Sequence, residues 1–163
     1  MAIEAEYLKQ ISVRFKWAFQ RAANAIDQLN DEQVWHRPSP ASNNVGIILQ
    51  HLTGNLNQWV CDALGGREYK RNRPQEFKDA HRLSKNEMVK GFSSLGATVQ
   101  EIVSKIPPDS LLSPRHIQGS DETVLSALLL AVTHLELHTG QISYIAKLIL
   151  NEKYVEYQRP SAP

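Results

Sequence analysis

Apolar residues recur at three- and four-residue steps along most of the chain, the spacing of one buried helix face. Between Glu4 and Leu29, the positions Leu8, Ile11, Phe15, Ala18, Ala22, Ile26 and Leu29 form such a stripe. A short helical turn is expected around Asp31 to His36, after which Pro38 and Pro40 break the chain. A second helix opens at Asn43 or Asn44, either of which can cap it. Its stripe is Val45, Ile48, Leu49, Leu52, Leu56, Trp59, Val60 and Ala63, and Gly65-Gly66 ends it. Ser84-Lys85-Asn86-Glu87 has the form of a capping box and opens a third helix. Met88, Phe92, Leu95, Val99, Ile102, Val103 and Ile106 follow, and Pro107-Pro108 stop it. The fourth helix is expected from about Asp121 to Leu150. No segment alternates convincingly as a strand does, and no repeat or low-complexity tract stands out. The tail after Tyr154, ending in Arg159-Pro160-Ser161-Ala162-Pro163, is expected to be loosely ordered or held by a partner.

These elements predict an all-α fold, a four-helix bundle, in one domain spanning residues 1–163. The links Gly65 to Leu83 and Pro107 to Ser120 are longer than tight antiparallel turns need, so a long crossover is expected between the second and third helices. Sites in such bundles form in the core, from side chains on facing helices.

Charge changes this picture little. A formal net charge of +1 gives no reason to expect nucleic acid or an anionic membrane as partner. The single Cys61 rules out an internal disulfide and fits a reducing compartment. The stretch from Met1 to Gln10 has no apolar signal region, and the apolar runs are too short and interrupted to span a bilayer. A cytoplasmic protein is expected.

Chemistry enters with "THLELHTGQ", Thr133 to Gln141, where His134 and His138 stand four residues apart on the fourth helix. At roughly 100° per residue, Ser126, Thr133, Glu136, Gly140, Ser143 and Lys147 gather on a polar arc. Val124, Leu128, Ala131, Leu135, Ile142, Ile145 and Ile149 fill the opposite one. The two histidines fall on the flank of the buried side, with Cβ atoms about 5–6 Å apart. Glu136 points away from both, so the zinc-protease pattern H-E-x-x-H does not apply. Two readings compete: histidines packed and hydrogen-bonded in the core, or two ligands of a metal. Candidates for a third ligand are His36, His51, His81 and His116. Only His51 lies inside a long helix, on the flank of its stripe; His36 and His116 sit near loops or helix ends, and His81 in a charged loop. Three neutral imidazoles leave coordination positions open. No carboxylate is evident beside His51 or the pair as a general base, and Asp62 is too distant.

The segments "NNVGIILQHLTGN" and "VTHLELHTGQISYIAKL" together resemble the DinB/YfiT-like superfamily, and the likeness covers nearly the whole chain. The segment "GREYKRNRPQEF" resembles a branch of that superfamily of uncharacterised function. The resemblance implies an up-down-down-up four-helix bundle, commonly a homodimer. It implies His51, His134 and His138 as ligands of a divalent metal ion, with Zn, Ni, Fe or Mn all open. Gln141 matches the family's H-x-G-Q segment and is read as supporting or packing rather than ligating. The function implied is that of a metal-dependent enzyme on a small-molecule substrate, a transferase using a low-molecular-weight thiol such as bacillithiol or mycothiol. The alternatives are a metal-dependent hydrolase and a non-catalytic dimeric metal-binding or stress module.

Two further features carry paired readings. The segment Arg67 to Arg82 is rich in cations, and is either a solvated crossover or a lid that binds anionic substrate. Trp17, Trp35 and Trp59 are read as core or pocket-wall aromatics, and Cys61 as a small buried hydrophobe.

Overall fold

The structure, a computed structural model, describes residues 3–78 and 82–158. The readings placed on His81 and on the last five residues lie outside that range. Four long helices enclose one core: α1 (Ile3–Asp27), α3 (Val45–Leu56), α5 (Lys85–Lys105) and α6 (Val124–Leu150). Two short ones, α2 (Asp31–Trp35) and α4 (Arg73–Glu76), sit in the connections. Helix α1 packs along α5 and α6, and α3 packs along the same two. The predicted stripes supply the core, with Phe15, Ile26, Leu52, Leu56, Leu128, Leu135 and Ile142 fully buried.

The helix starts follow their capping chemistry. Asn44, rather than Asn43, caps α3: its Oδ1 accepts from Ile47 N at 2.8 Å and its Nδ2 donates to the Trp35 carbonyl at 3.1 Å. This one fully buried side chain therefore joins α2 to α3. The capping box at Ser84 and Glu87 is formed as expected.

Three expectations are corrected. The second helix is not α-helical to its end; Asn57–Asp62 is π-helical, with Ala63 N donating to Gln58 O at 3.2 Å and Gly65 N to Val60 O at 2.9 Å. It stops at Gly66, whose φ of +64° lets Arg67 N reach back to Cys61 O at 2.9 Å. Second, a β-hairpin exists: β1 (Pro114–Ile117) pairs antiparallel with β2 (Ser120–Thr123). Its two-residue turn has positive φ at both Gln118 (54°) and Gly119 (82°), as a type I′ turn requires. The fourth helix thus starts at Val124 rather than Asp121, because residues 121–123 pair with β1 and Thr123 accepts from Ser126 N as the cap. Third, the tail is docked as far as it is described. The Gln28 amide clamps Val155, accepting from its N at 2.7 Å and donating to its O at 2.9 Å, and Tyr157 Oη donates to Gln20 Oε1 at 2.8 Å. Ser143 also departs from its polar arc: it is buried, and its hydroxyl donates to Thr139 O at 2.9 Å.

Two glycines give a paired test of this packing. A Cβ at Gly46 would lie 2.7 Å from the Trp35 ring, whereas one at Gly91 meets nothing within 4 Å. Gly46→Ala is expected to lower stability in urea unfolding by about 1–3 kcal/mol. Gly91→Ala, in the exposed interior of α5, is expected to raise it by roughly 0.5–1 kcal/mol.

Candidate metal centre

Helix periodicity puts His134 and His138 one turn apart on α6, and the packing of α3 against α6 brings His51 to them. The ring centroids of His134 and His138 are 4.5 Å apart, and each lies 5.0 Å from that of His51. One nitrogen from each of the three falls within 4.8 Å of the others, so the group can hold a metal ion. His51 is buried and the other two are half-buried.

Behind His51 stands a carboxylate that the sequence did not reveal. Glu76, from α4, accepts from His51 Nδ1 at 2.9 Å through Oε2. Arg71 grips the same carboxylate at both oxygens, Nε to Oε1 at 2.6 Å and Nη2 to Oε2 at 2.8 Å. All three side chains are at most 8% exposed. The carboxylate is seated directly over α3 at Gly54, where a Cβ would collide with Oε1. The expectation that no carboxylate accompanies His51 is therefore corrected. Glu76 is not free to act as a base, since its lone pairs are engaged by His51 and Arg71. Burial alone would raise its pKa, but hydrogen bonds from Arg71 and His51 and their charge outweigh it and hold the carboxyl below its ordinary range.

These bonds set the tautomers. With Nδ1–H of His51 given to Glu76, its Nε2 carries the lone pair. Gln141 Oε1 accepts from His138 Nδ1 at 2.7 Å, which likewise leaves Nε2 of His138 as the free nitrogen. His134 Nε2 faces His51 Nε2 at 2.9 Å, a pair that shares one proton when no cation lies between them. Burial first, then His138, His51, Arg71 and Arg73, push the pKa of His134 down to about 4. Burial and His51 also lower that of His138, against the opposing hydrogen bond from Gln141. Both imidazoles are neutral at pH 7, the form in which they ligate metals. The donor set fits a divalent ion: three imidazole nitrogens, with the rings of His51 and His138 aimed by a neighbour, at a site reached from solvent.

That access is a cavity of about 390 Å³ lined by His51, His134, Asn55, Trp59, Arg73 and Gln118 among others. Of the crossover cations, Arg71 is buried in the site and Arg73 stands at the cavity wall, so the segment is not simply solvated. His36 is exposed, and so is His116, which bonds Asp121 at 2.7 Å. Glu136 turns away as expected and meets Arg14 at 3.1 Å. Trp35 is core, whereas Trp17 and Trp59 are half-buried at cavity walls. Cys61 is buried, and its thiol pKa is raised by that burial against the pull of Arg67. Arg71 was read from the sequence as a cation over the site, but it grips Glu76 instead; Glu76 and Gly54 are the site residues that sequence reasoning missed, and the available signal was a glycine inside a helix, three residues after His51.

The family described as "Protein of unknown function (DUF1572)" matches residues 2–161. No curated protein matches the sequence. Among solved structures, a DinB-like protein from Bacillus cereus ATCC 10987 aligns with a TM-score of 0.68 at 15% identity, covering 88% of this chain and 90% of its own. A conserved protein from Enterococcus faecalis aligns with a TM-score of 0.70 at 15% identity, covering 87% and 96%. The fold is therefore DinB-like.

Acid should test the neutral imidazoles. Between the ordinary pKa of 6.5 and the depressed value of about 4, the unfolded chain binds a proton at residue 134 that the folded chain refuses. Stability contributed by the neutral form is present above pH 6.5 and lost as pH falls toward 4. The melting temperature of metal-free protein is expected to drop across that window, and less steeply in His134→Gln, which cannot titrate.

Proposed function

This chain belongs to the DUF1572 family, and we propose that its His51, His134 and His138 bind one divalent cation, Zn, Ni, Fe or Mn, at the centre of a small-molecule site. The observation that carries the reading is the convergence of three imidazoles, two with their second nitrogen already held by Glu76 and Gln141. Such partners fix ring orientation and raise ligand basicity. When bound, the cation supplies Lewis acidity to a thiol or a water molecule.

The reading extends to a thiol S-transferase using a low-molecular-weight thiol. A thiol needs only to lose its proton to become the nucleophile. Hydrolysis commonly adds a carboxylate base for water, and among the described residues the carboxylate beside the histidines, Glu76, is tied to Arg71. The open cavity favours a ligand-binding centre over a closed structural one. A hydrolase, and a non-catalytic metal-binding module, are the readings that a failed thiol assay would leave.

Assembly as a homodimer accompanies this proposal. Helix α6 leaves Leu130, Leu137, Tyr144 and Leu148 exposed, between 45% and 64%, at helical spacing along one side. Light scattering should return a dimer mass, and Leu137→Glu should shift it to monomer; a wild-type monomer at high concentration would remove this part.

Protein purified without a nickel column should carry about one divalent ion per chain by elemental analysis. His51→Ala should lose it and the exposed His116→Ala should keep it; equal content in the two would refute the ligand assignment. Glu76→Gln should retain the ion with roughly 10–100-fold weaker affinity. Metal-loaded protein should conjugate electrophiles with bacillithiol or mycothiol faster than metal-free protein, an increase that His138→Ala removes.

A further inference from the structure

The cavity over the histidines has a charge and hydrogen-bonding pattern of its own. Arg71 is neutralised by Glu76 at its floor. Arg73, the first residue of α4, has no carboxylate partner among the described residues, and its guanidinium lies 5.8 Å from the Phe77 ring centre. Among the described residues, no acidic side chain lines this cavity. One turn along α3 from His51, Asn55 lines the same cavity, and its Oδ1 is buried without any hydrogen-bond donor. A buried acceptor left bare is costly, and its place in a binding cavity makes a ligand's N–H or O–H the natural donor. On the other side the hairpin turn places Gln118, at its positive φ, against Trp59, whose Nε1 donates to Gln118 Oε1 at 3.4 Å.

We propose that this cavity selects a small carboxylate ligand that also carries an amide or hydroxyl donor, with the carboxylate bound by Arg73 and the donor accepted by Asn55 Oδ1. A guanidinium that lacks an internal counter-ion prefers a planar carboxylate, which it can engage through two N–H groups. The volume of about 390 Å³ suits a ligand of small-metabolite size. This rests on the metal-centre reading for the added positive charge at the cavity floor, and on Arg73 and Asn55 for its walls.

The test uses three probes: N-acetylglycine, its methyl ester, which lacks the charge, and N-acetylsarcosine, which lacks the N–H. Each is titrated into the full chain, metal-free and zinc-supplemented, while NMR follows the indole N–H of Trp59, assigned with Trp59→Phe. N-Acetylglycine should bind about ten-fold or more tightly than its ester, as one charged hydrogen-bonded contact provides. Arg73→Gln should erase that preference. The preference over N-acetylsarcosine should vanish in Asn55→Ala. Equal binding of acid and ester by the wild-type chain, or no saturable shift of the Trp59 signal with any probe, would overturn the proposal. Zinc content measured on the same samples separates the two readings: the Arg73 preference persists in metal-free protein, so loss of zinc uptake with the preference intact sinks only the metal assignment.

Discussion

The buried carboxylate of Glu76 is the constraint around which the site is organised. A lone carboxylate at 8% exposure would be costly, and it is stable here because two side chains donate to it: Arg71 at 2.6 and 2.8 Å and His51 at 2.9 Å. Removing Arg71 would leave an uncompensated buried charge, a loss on the order of 3–5 kcal/mol. The same contacts dock residues 71–76 of the crossover onto α3 and fix the His51 ring. They also require Gly54, because no side chain fits beneath the Glu76 carboxylate.

The opposite wall depends on different physics. The π-helical stretch Asn57–Asp62 changes the register of the second long helix just where Trp59 meets the hairpin. The hairpin, held by its Gln118-Gly119 turn, brings a polar side chain to a bundle surface that helices alone would leave flat. Between the walls, burial keeps His134 and His138 neutral. A chain with only the histidine triplet would have the three imidazoles without the groups that aim them or the cavity beside them.

The helices were legible because their apolar stripes run long enough for a 3.6-residue period to dominate, from Leu8 to Leu29 or Met88 to Val103. The histidines were legible for the same reason, since i,i+4 spacing on a core flank converts directly into proximity. Glu76 was not, because its partner lies 25 residues away and a loop's path carries no period. The hairpin escaped because each strand is four residues long, too short for alternation to register, and only its turn residues carry a signal. The π-helical stretch has an apolar pattern close enough to α-helix to hide the change of hydrogen bonding.

X-ray absorption at the metal edge of zinc-loaded protein most directly tests the claim that the three imidazoles form one first coordination sphere. The account predicts about three imidazole nitrogens at roughly 2.0–2.1 Å, with one further light ligand in the open position. In Glu76→Gln the same three should remain with greater spread in distance, because the His51 ring has lost its anchor. A spectrum without imidazole scattering, or one fitted by oxygen ligands alone, would contradict the assignment of His51, His134 and His138 as the metal centre.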